Sequence, residues 1–294
     1  MWQVIVLFLS LTLAATPQLH ATQHHHNDTL IAEMVALSYD LPAGRRFDRW
    51  SLIPLKDDST TYGALFCPPA KGTSHLPVIA LRGTDNVDDW VTNVLMIKVK
   101  CELCALKHGW VHAGFYARAQ ELLLLIEYVL AQWPCLQPAK GLVLAGHSLG
   151  GAVSTLLTAI WPHKNVPIKR LVTFGAPAVG DKVFQQALEG AVPQQVHYTL
   201  LGDFVPEVLG VMELVRAVYE GVLSPKRPTF VTSPYQISLF PTQCALAHVD
   251  RIAAAAVWEL SHLRGFIPHE MLCYIGALEE MESVQRYLDG LEDL

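Results

Sequence analysis

Leu142-Val143-Leu144-Ala145-Gly146-His147-Ser148-Leu149-Gly150-Gly151-Ala152 is the stretch from which the architecture can be read. Its opening apolar run, bounded by turn residues, predicts a buried strand over 142–145, and the apolar spacing over 149–161 predicts a helix directly after it. Between them stands Gly146-His147-Ser148-Leu149-Gly150, a G-x-S-x-G pattern in the strand-to-helix setting that gives it meaning. Glycines at 146 and 150 remove side chains where strand and helix close on each other. The turn can then be sharp, holding Ser148 in a strained backbone with its hydroxyl clear of the sheet. A helix N-terminus also brings backbone N–H groups and a positive dipole end to the oxygen that gains charge in acyl transfer. The plainer alternative is a glycine-rich turn without chemistry, and the flanking strand and helix argue against it.

Working outward, further short apolar runs predict buried strands over 63–66, 77–81, 171–174 and 196–201. Helical spacing appears over 29–38 and 115–133. Buried strands alternating with helices predict an α/β class with a mostly parallel central sheet and helices on both faces. No repeat or long linker divides the chain, so residues 22–294 read as a single domain, with 222–240 as an irregular, proline-containing excursion.

The composition agrees. The 294 residues are 51% hydrophobic and 16% charged, which suits one large globular domain and excludes a disordered or fibrous chain. Lys and Arg total 21 against 27 Asp and Glu, a formal charge of −6 without any basic run, so no nucleic-acid partner is expected. Mean hydropathy is high at +0.29. Past the first twenty residues, however, no apolar run approaches the roughly 20 that span a bilayer. Residues 1–15, MWQVIVLFLSLTLAA, have the size of a signal-peptide core, and Ala15 and Ala21 offer cleavage points. A signal peptide over 1–21 and export, secreted or periplasmic, are therefore expected, although no Lys or Arg precedes the apolar core. Six cysteines make an even count that an oxidising compartment lets pair. Cys101-Glu-Leu-Cys104 reads as a loop-stiffening disulfide ahead of a redox or metal role. His20 and His24 to His26 read as a solvated tail. The acidic residues lack calcium-loop spacing, so no metal is expected.

A serine hydroxyl is a weak nucleophile at neutral pH and requires a base and an orienting acid. Where G-x-S-x-G carries the nucleophile, acid and base follow it in that order. Asp203, beyond the strand at 196–201, would emerge on the same sheet edge as Ser148. Asp181 precedes a helical stretch and is better explained as an N-cap. His248, His262 and His269 are the downstream base candidates. The first two lie in apolar, helix-like surroundings, and His269 stands at a loop-to-helix junction suited to projecting a base.

An ordered series of motifs resembles the class 3 lipases, the family of fungal triacylglycerol lipases and plant phospholipase A1-like enzymes. Leu81-Arg82-Gly83-Thr84 is followed by Asp89-Trp90 and Asn93, then by Val111-His112-Ala113-Gly114-Phe115 and the Ser148 motif. Thr173-Phe174-Gly175-Ala176-Pro177, Val179-Gly180-Asp181, Asp203-Phe204-Val205-Pro206 and His269 with Tyr274 complete the series. The resemblance implies an α/β-hydrolase fold with Ser148 as nucleophile, Asp203 as acid and His269 as base. It further implies Thr84 and Leu149 as oxyanion donors, needing no cofactor. The sequence departs from the family pattern at Pro268, where an Asp often precedes the His, and at Leu200, where many members carry Asn.

Directly after Thr84, Val87, Trp90, Val91, Val94 and Leu95 fall at helical spacing opposite a polar face. In the family this region is a lid that opens at a lipid surface, which makes a lipid ester at a lipid–water interface the expected partner. Triacylglycerol hydrolysis is the first expectation, with phospholipase A1 or another carboxylesterase as the alternative on the same site. A non-catalytic lipid-binding protein is the alternative of another class. It would not need a strained serine, an acid and a base together.

Overall fold

The computed structural model describes residues 28–41, 46–69, 75–84, 97–104, 109–132, 141–162, 166–200, 203, 205–210, 212–213, 229–239 and 271–292. Residues 1–21, the histidine tract, the segment carrying Val87, Trp90, Val91, Val94 and Leu95, and His248, His262 and His269 lie outside these residues.

Ten strands are described: β1 (Arg46–Phe47), β2 (Trp50–Lys56), β3 (Thr61–Cys67), β4 (Val78–Leu81), β5 (Lys98–Lys100), β6 (Trp110–His112), β7 (Leu142–His147), β8 (Ile168–Phe174), β9 (Gln194–Leu200) and β10 (Gln236–Leu239). The helices are α1 (Asp28–Leu37), α2 (Ala113–Gln132), α3 (Leu149–Ile160), α4 (Lys182–Ala191) and α5 (Met271–Glu292). Eight strands form one sheet in the order β1-β2-β3-β4-β7-β8-β9-β10, while β5 and β6 pair separately as a hairpin. Pairing is antiparallel from β1 to β4 and parallel from β4 through β10.

Alternate residues of each central strand enter different cores. In β7, Leu142 and Leu144 join a cluster with Phe115 and Ile126 of α2, Leu156 of α3 and Phe184 of α4. Val143 and Ala145 join Ile31 and Val35 of α1 and Tyr274 and Leu278 of α5. Apolar side chains in succession are the signature of a strand covered on both faces, and the three-layer arrangement follows from it. Because β4, β7, β8 and β9 run in parallel, their C-terminal ends share one edge, where open α/β sheets gather functional loops.

Helix α1 is fixed by a buried polar cluster. Arg170 of β8 donates from Nη2 to Asp28 Oδ2 at 2.7 Å, and Tyr198 of β9 donates its hydroxyl to the same oxygen at 2.6 Å. Helix α5 packs on the same face through Met271, Tyr274, Ala277 and Leu278, which brings Tyr274 beneath the sheet edge.

The region expected to be irregular, 222–240, contains β10, which extends the sheet in parallel beside β9. Its four residues, Gln236 to Leu239, carry too little apolar content to announce a strand. Strand β2 also escapes pattern reading, since Pro54 interrupts it. Pro54 pairs with Ala64 of β3, while β1 reaches only Trp50 and Ser51, so among the described residues Pro54 has a strand neighbour on one side only, the edge setting in which proline is tolerated. Cys101 and Cys104 form a disulfide at the hairpin tip. Cys67 and Cys273 are also disulfide-bonded, and no cysteine is free among the described residues.

Candidate active site

Ser148 occupies the junction between β7 and α3 with φ 53° and ψ −125°. Positive φ is unfavourable for a residue with a Cβ, and among the described residues only Asp48 shares it outside glycine. Two hydrogen bonds hold the strained unit. Ser148 N donates to Phe174 O of the adjacent strand at 2.9 Å, and Ala152 N donates to Ser148 O at 3.1 Å. The glycines act through space rather than through flexibility. A Cβ on Gly146 would lie 2.4 Å from Gly150 carbonyl atoms, and one on Gly150 would lie 2.4 Å from the carbonyl oxygens of Leu81 and Arg82. The turn is thus pressed against the end of β4. Ser148 Oγ is fully buried and makes no hydrogen bond, an unusual condition for a buried hydroxyl.

Asp203 stands beyond the end of β9, two strands from Ser148 on the same edge, its N–H bonded to Leu200 O at 2.9 Å. The carboxylate is buried and doubly engaged. Val205 N donates to Oδ1 at 2.9 Å and Tyr274 Oη donates to Oδ2 at 2.6 Å. Tyr274 itself accepts from Leu200 N at 3.3 Å. Burial, and next the Asp203 charge, push the Tyr274 phenol well above its usual pKa, so it remains a donor. Asp181 is by contrast the N-cap of α4, accepting from Phe184 N at 2.9 Å. That leaves it occupied by a structural task.

The loop after β4 meets the serine turn directly: a Cβ on Gly83 would stand 2.8 Å from Ser148 Cβ and 2.6 Å from Tyr39 Oη. Thr84, Leu149 and Gly150 border a cavity of about 340 Å³ whose wall is apolar at Leu122 and Val153 and polar at Arg118. Behind the turn, the His147 ring lies between Tyr39 and Tyr274, with centroids 5.9 and 6.0 Å away.

The structure therefore brings together Ser148, Leu149, Thr84 and Asp203 on one sheet edge, while His269, His248 and His262 lie outside the described residues. Sequence reading missed Tyr39 altogether and gave Tyr274 no task. Their contacts cross 108 and 71 residues, and no local pattern carries such information.

The arrangement aligns with the Lip2 lipase of Yarrowia lipolytica at a TM-score of 0.56, covering 76% of this chain and 82% of that one at 19% identity. A lipase from Rhizopus microsporus var. chinensis aligns at 0.53, covering 66% and 72% at 21% identity. The fold is that of the α/β hydrolases.

Residues 78–212, a little under half of the chain, match the class 3 lipase family. The secreted mono- and diacylglycerol lipase 1 of Fusarium solani is 31% identical over 131 residues, 45% of this chain and 38% of that protein. The secreted mono- and diacylglycerol lipase A of Penicillium cyclopium is 28% identical over 170 residues, 56% and 54% respectively. The chain thus spans between about two fifths and just over half the length of these curated relatives.

Proposed function

We propose that the protein is a serine hydrolase that cleaves carboxylic ester bonds of lipids. The observation that carries this reading is the buried, unbonded hydroxyl of Ser148 on a positive-φ turn between strand and helix. A hydroxyl held at a strained position without a structural partner is suited to reaction rather than packing. In the reaction, His269 takes the Ser148 proton as Oγ attacks the acyl carbonyl, and the oxyanion is received by the N–H groups of Thr84 and Leu149. The leaving alcohol takes its proton from His269, and water then attacks the acyl-enzyme by the same route in reverse, releasing the fatty acid. Asp203 keeps the imidazole oriented and offsets its positive form.

Triacylglycerol is the first expected substrate, and the activity named for the two fungal relatives adds mono- and diacylglycerols. Export is the matching proposal for location, supported by the word "secreted" in both names and by the apolar stretch at 1–15. The segment with Val87, Trp90, Val91, Val94 and Leu95 is proposed as the lid. The test is fatty-acid release from triolein, diolein, phosphatidylcholine and a short nitrophenyl ester, with Ser148→Ala as control. Release from the glycerides that vanishes in Ser148→Ala supports the reading. Preference for phosphatidylcholine would move it to phospholipase A1, and no release from any ester would leave the binding protein.

A further inference from the structure

We infer that Tyr39, which lies outside the family-matched segment, is a positioning residue that aims the Thr84 N–H at the oxyanion. Gly83 N donates to Tyr39 Oη at 2.8 Å, and Tyr39 Oη stands 2.6 Å from His147 Nδ1. The Tyr39–His147 bond runs in the direction set by the His147 tautomer, and in either direction the phenol oxygen still accepts from Gly83 N. One hydroxyl thus ties the oxyanion loop to the residue that precedes the nucleophile.

The second hold runs through Arg82, whose guanidinium lies 4.9 Å above the Tyr39 ring centroid. Arg82 Nε donates to Gly83 O at 3.2 Å. That carbonyl belongs to the same planar peptide as the Thr84 N–H, and in a trans peptide the two point in opposite directions. Fixing Gly83 O from behind therefore fixes where the Thr84 N–H points. On its side-chain face Gly83 packs directly against Tyr39 Oη and Ser148 Cβ, with no room for even a methyl group. Tyr39 follows α1 in a turn closed by Tyr39 N to Ala36 O, and α1 is anchored by the Asp28–Arg170–Tyr198 cluster. The aim of the donor is thus set by a helix far from it in sequence.

This inference rests on the proposed ester hydrolysis. The test compares wild type, Tyr39→Phe and Tyr39→Leu on a soluble nitrophenyl ester, together with binding of an alkyl trifluoromethyl ketone, whose adduct with serine carries the oxyanion. Rates are expressed per site titrated by a fluorophosphonate. Tyr39→Phe is expected to lower kcat about 10- to 100-fold with KM within about twofold, and to weaken the ketone by the same factor. Tyr39→Leu, which also removes the ring beneath Arg82, is expected to lose more. Unchanged kcat and ketone affinity per titrated site in Tyr39→Phe would overturn the inference while leaving the hydrolase intact, as would a loss explained wholly by fewer titratable sites. A wild type that neither titrates nor turns over would overturn both.

Discussion

The turn at Ser148 and the corner at Asp203 share one edge of the sheet, yet they are built in opposite ways. The turn is written in consecutive residues: glycines at 146 and 150 clear the space, β7 and α3 flank it, and the backbone itself carries the strain. The corner depends on an imported group, because Asp203 is held by Val205 nearby and by Tyr274 from α5, 71 residues away. Backbone conformation can be encoded locally, whereas the orientation of a buried carboxylate requires donors delivered by tertiary structure. The two regions should therefore fail differently when altered.

The largest difference is expected from Asp203→Asn, which preserves shape and removes the charge. It should lower kcat about 10⁴-fold while the thermal midpoint changes little. A loss below tenfold on the nitrophenyl ester would remove Asp203 from the mechanism. Gly150→Ala attacks the other region: its Cβ has no room against Leu81 O and Arg82 O, so backbone must move. A fall in activity of about 100-fold and a stability loss of about 1–3 kcal/mol are expected, the latter read from urea midpoints. Gly276→Ala in α5 is the control, since nothing lies within 4 Å of its Cβ, and it should stabilise by about 0.5–1 kcal/mol.

Tyr274→Phe sharpens the comparison further. It deprives the carboxylate of one donor and leaves Leu200 N without its acceptor, so kcat should fall roughly 10- to 100-fold, by the usual worth of a charge-assisted bond. An unaffected rate would mean that the corner holds its orientation without the Tyr274 hydroxyl.

Motif reading reached the turn and the parallel core because both are periodic or contiguous in sequence. Strands 142–145 and 171–174 were legible from buried apolar runs, and the observed elements extend each by only a few residues. Asp181 as an N-cap followed from its place before a helix. What escaped has a physical reason in each case. Pro54 masked β2, the polar Gln236 and Ser238 masked β10, and Tyr39 reaches Gly83 and His147 only because α1 docks across the sheet. No spacing rule reports a contact that the fold creates.

The smallest effect concerns pH, in the strand between the two regions and the one that follows. His197 of β9 bonds through Nδ1 to Thr173 Oγ1 at 2.8 Å, and burial pulls its pKa down from 6.5 to about 4. The unfolded chain then binds more protons than the native one within that window. Stability is fully present above about pH 6.5 and falls as the pH drops toward 4. His197→Gln should flatten this slope in urea titrations at pH 4 to 7 without changing activity at pH 8; an unchanged slope would assign it to other groups.

The central claim is that Ser148 is a nucleophile. A fluorophosphonate probe, applied to the full chain with lipid emulsion present, tests it most directly, with the modified residue located by peptide mass spectrometry. The expected result is one label per chain at Ser148, abolished in Ser148→Ala; a folded protein that takes up no label, or takes it up at another serine, would contradict the account.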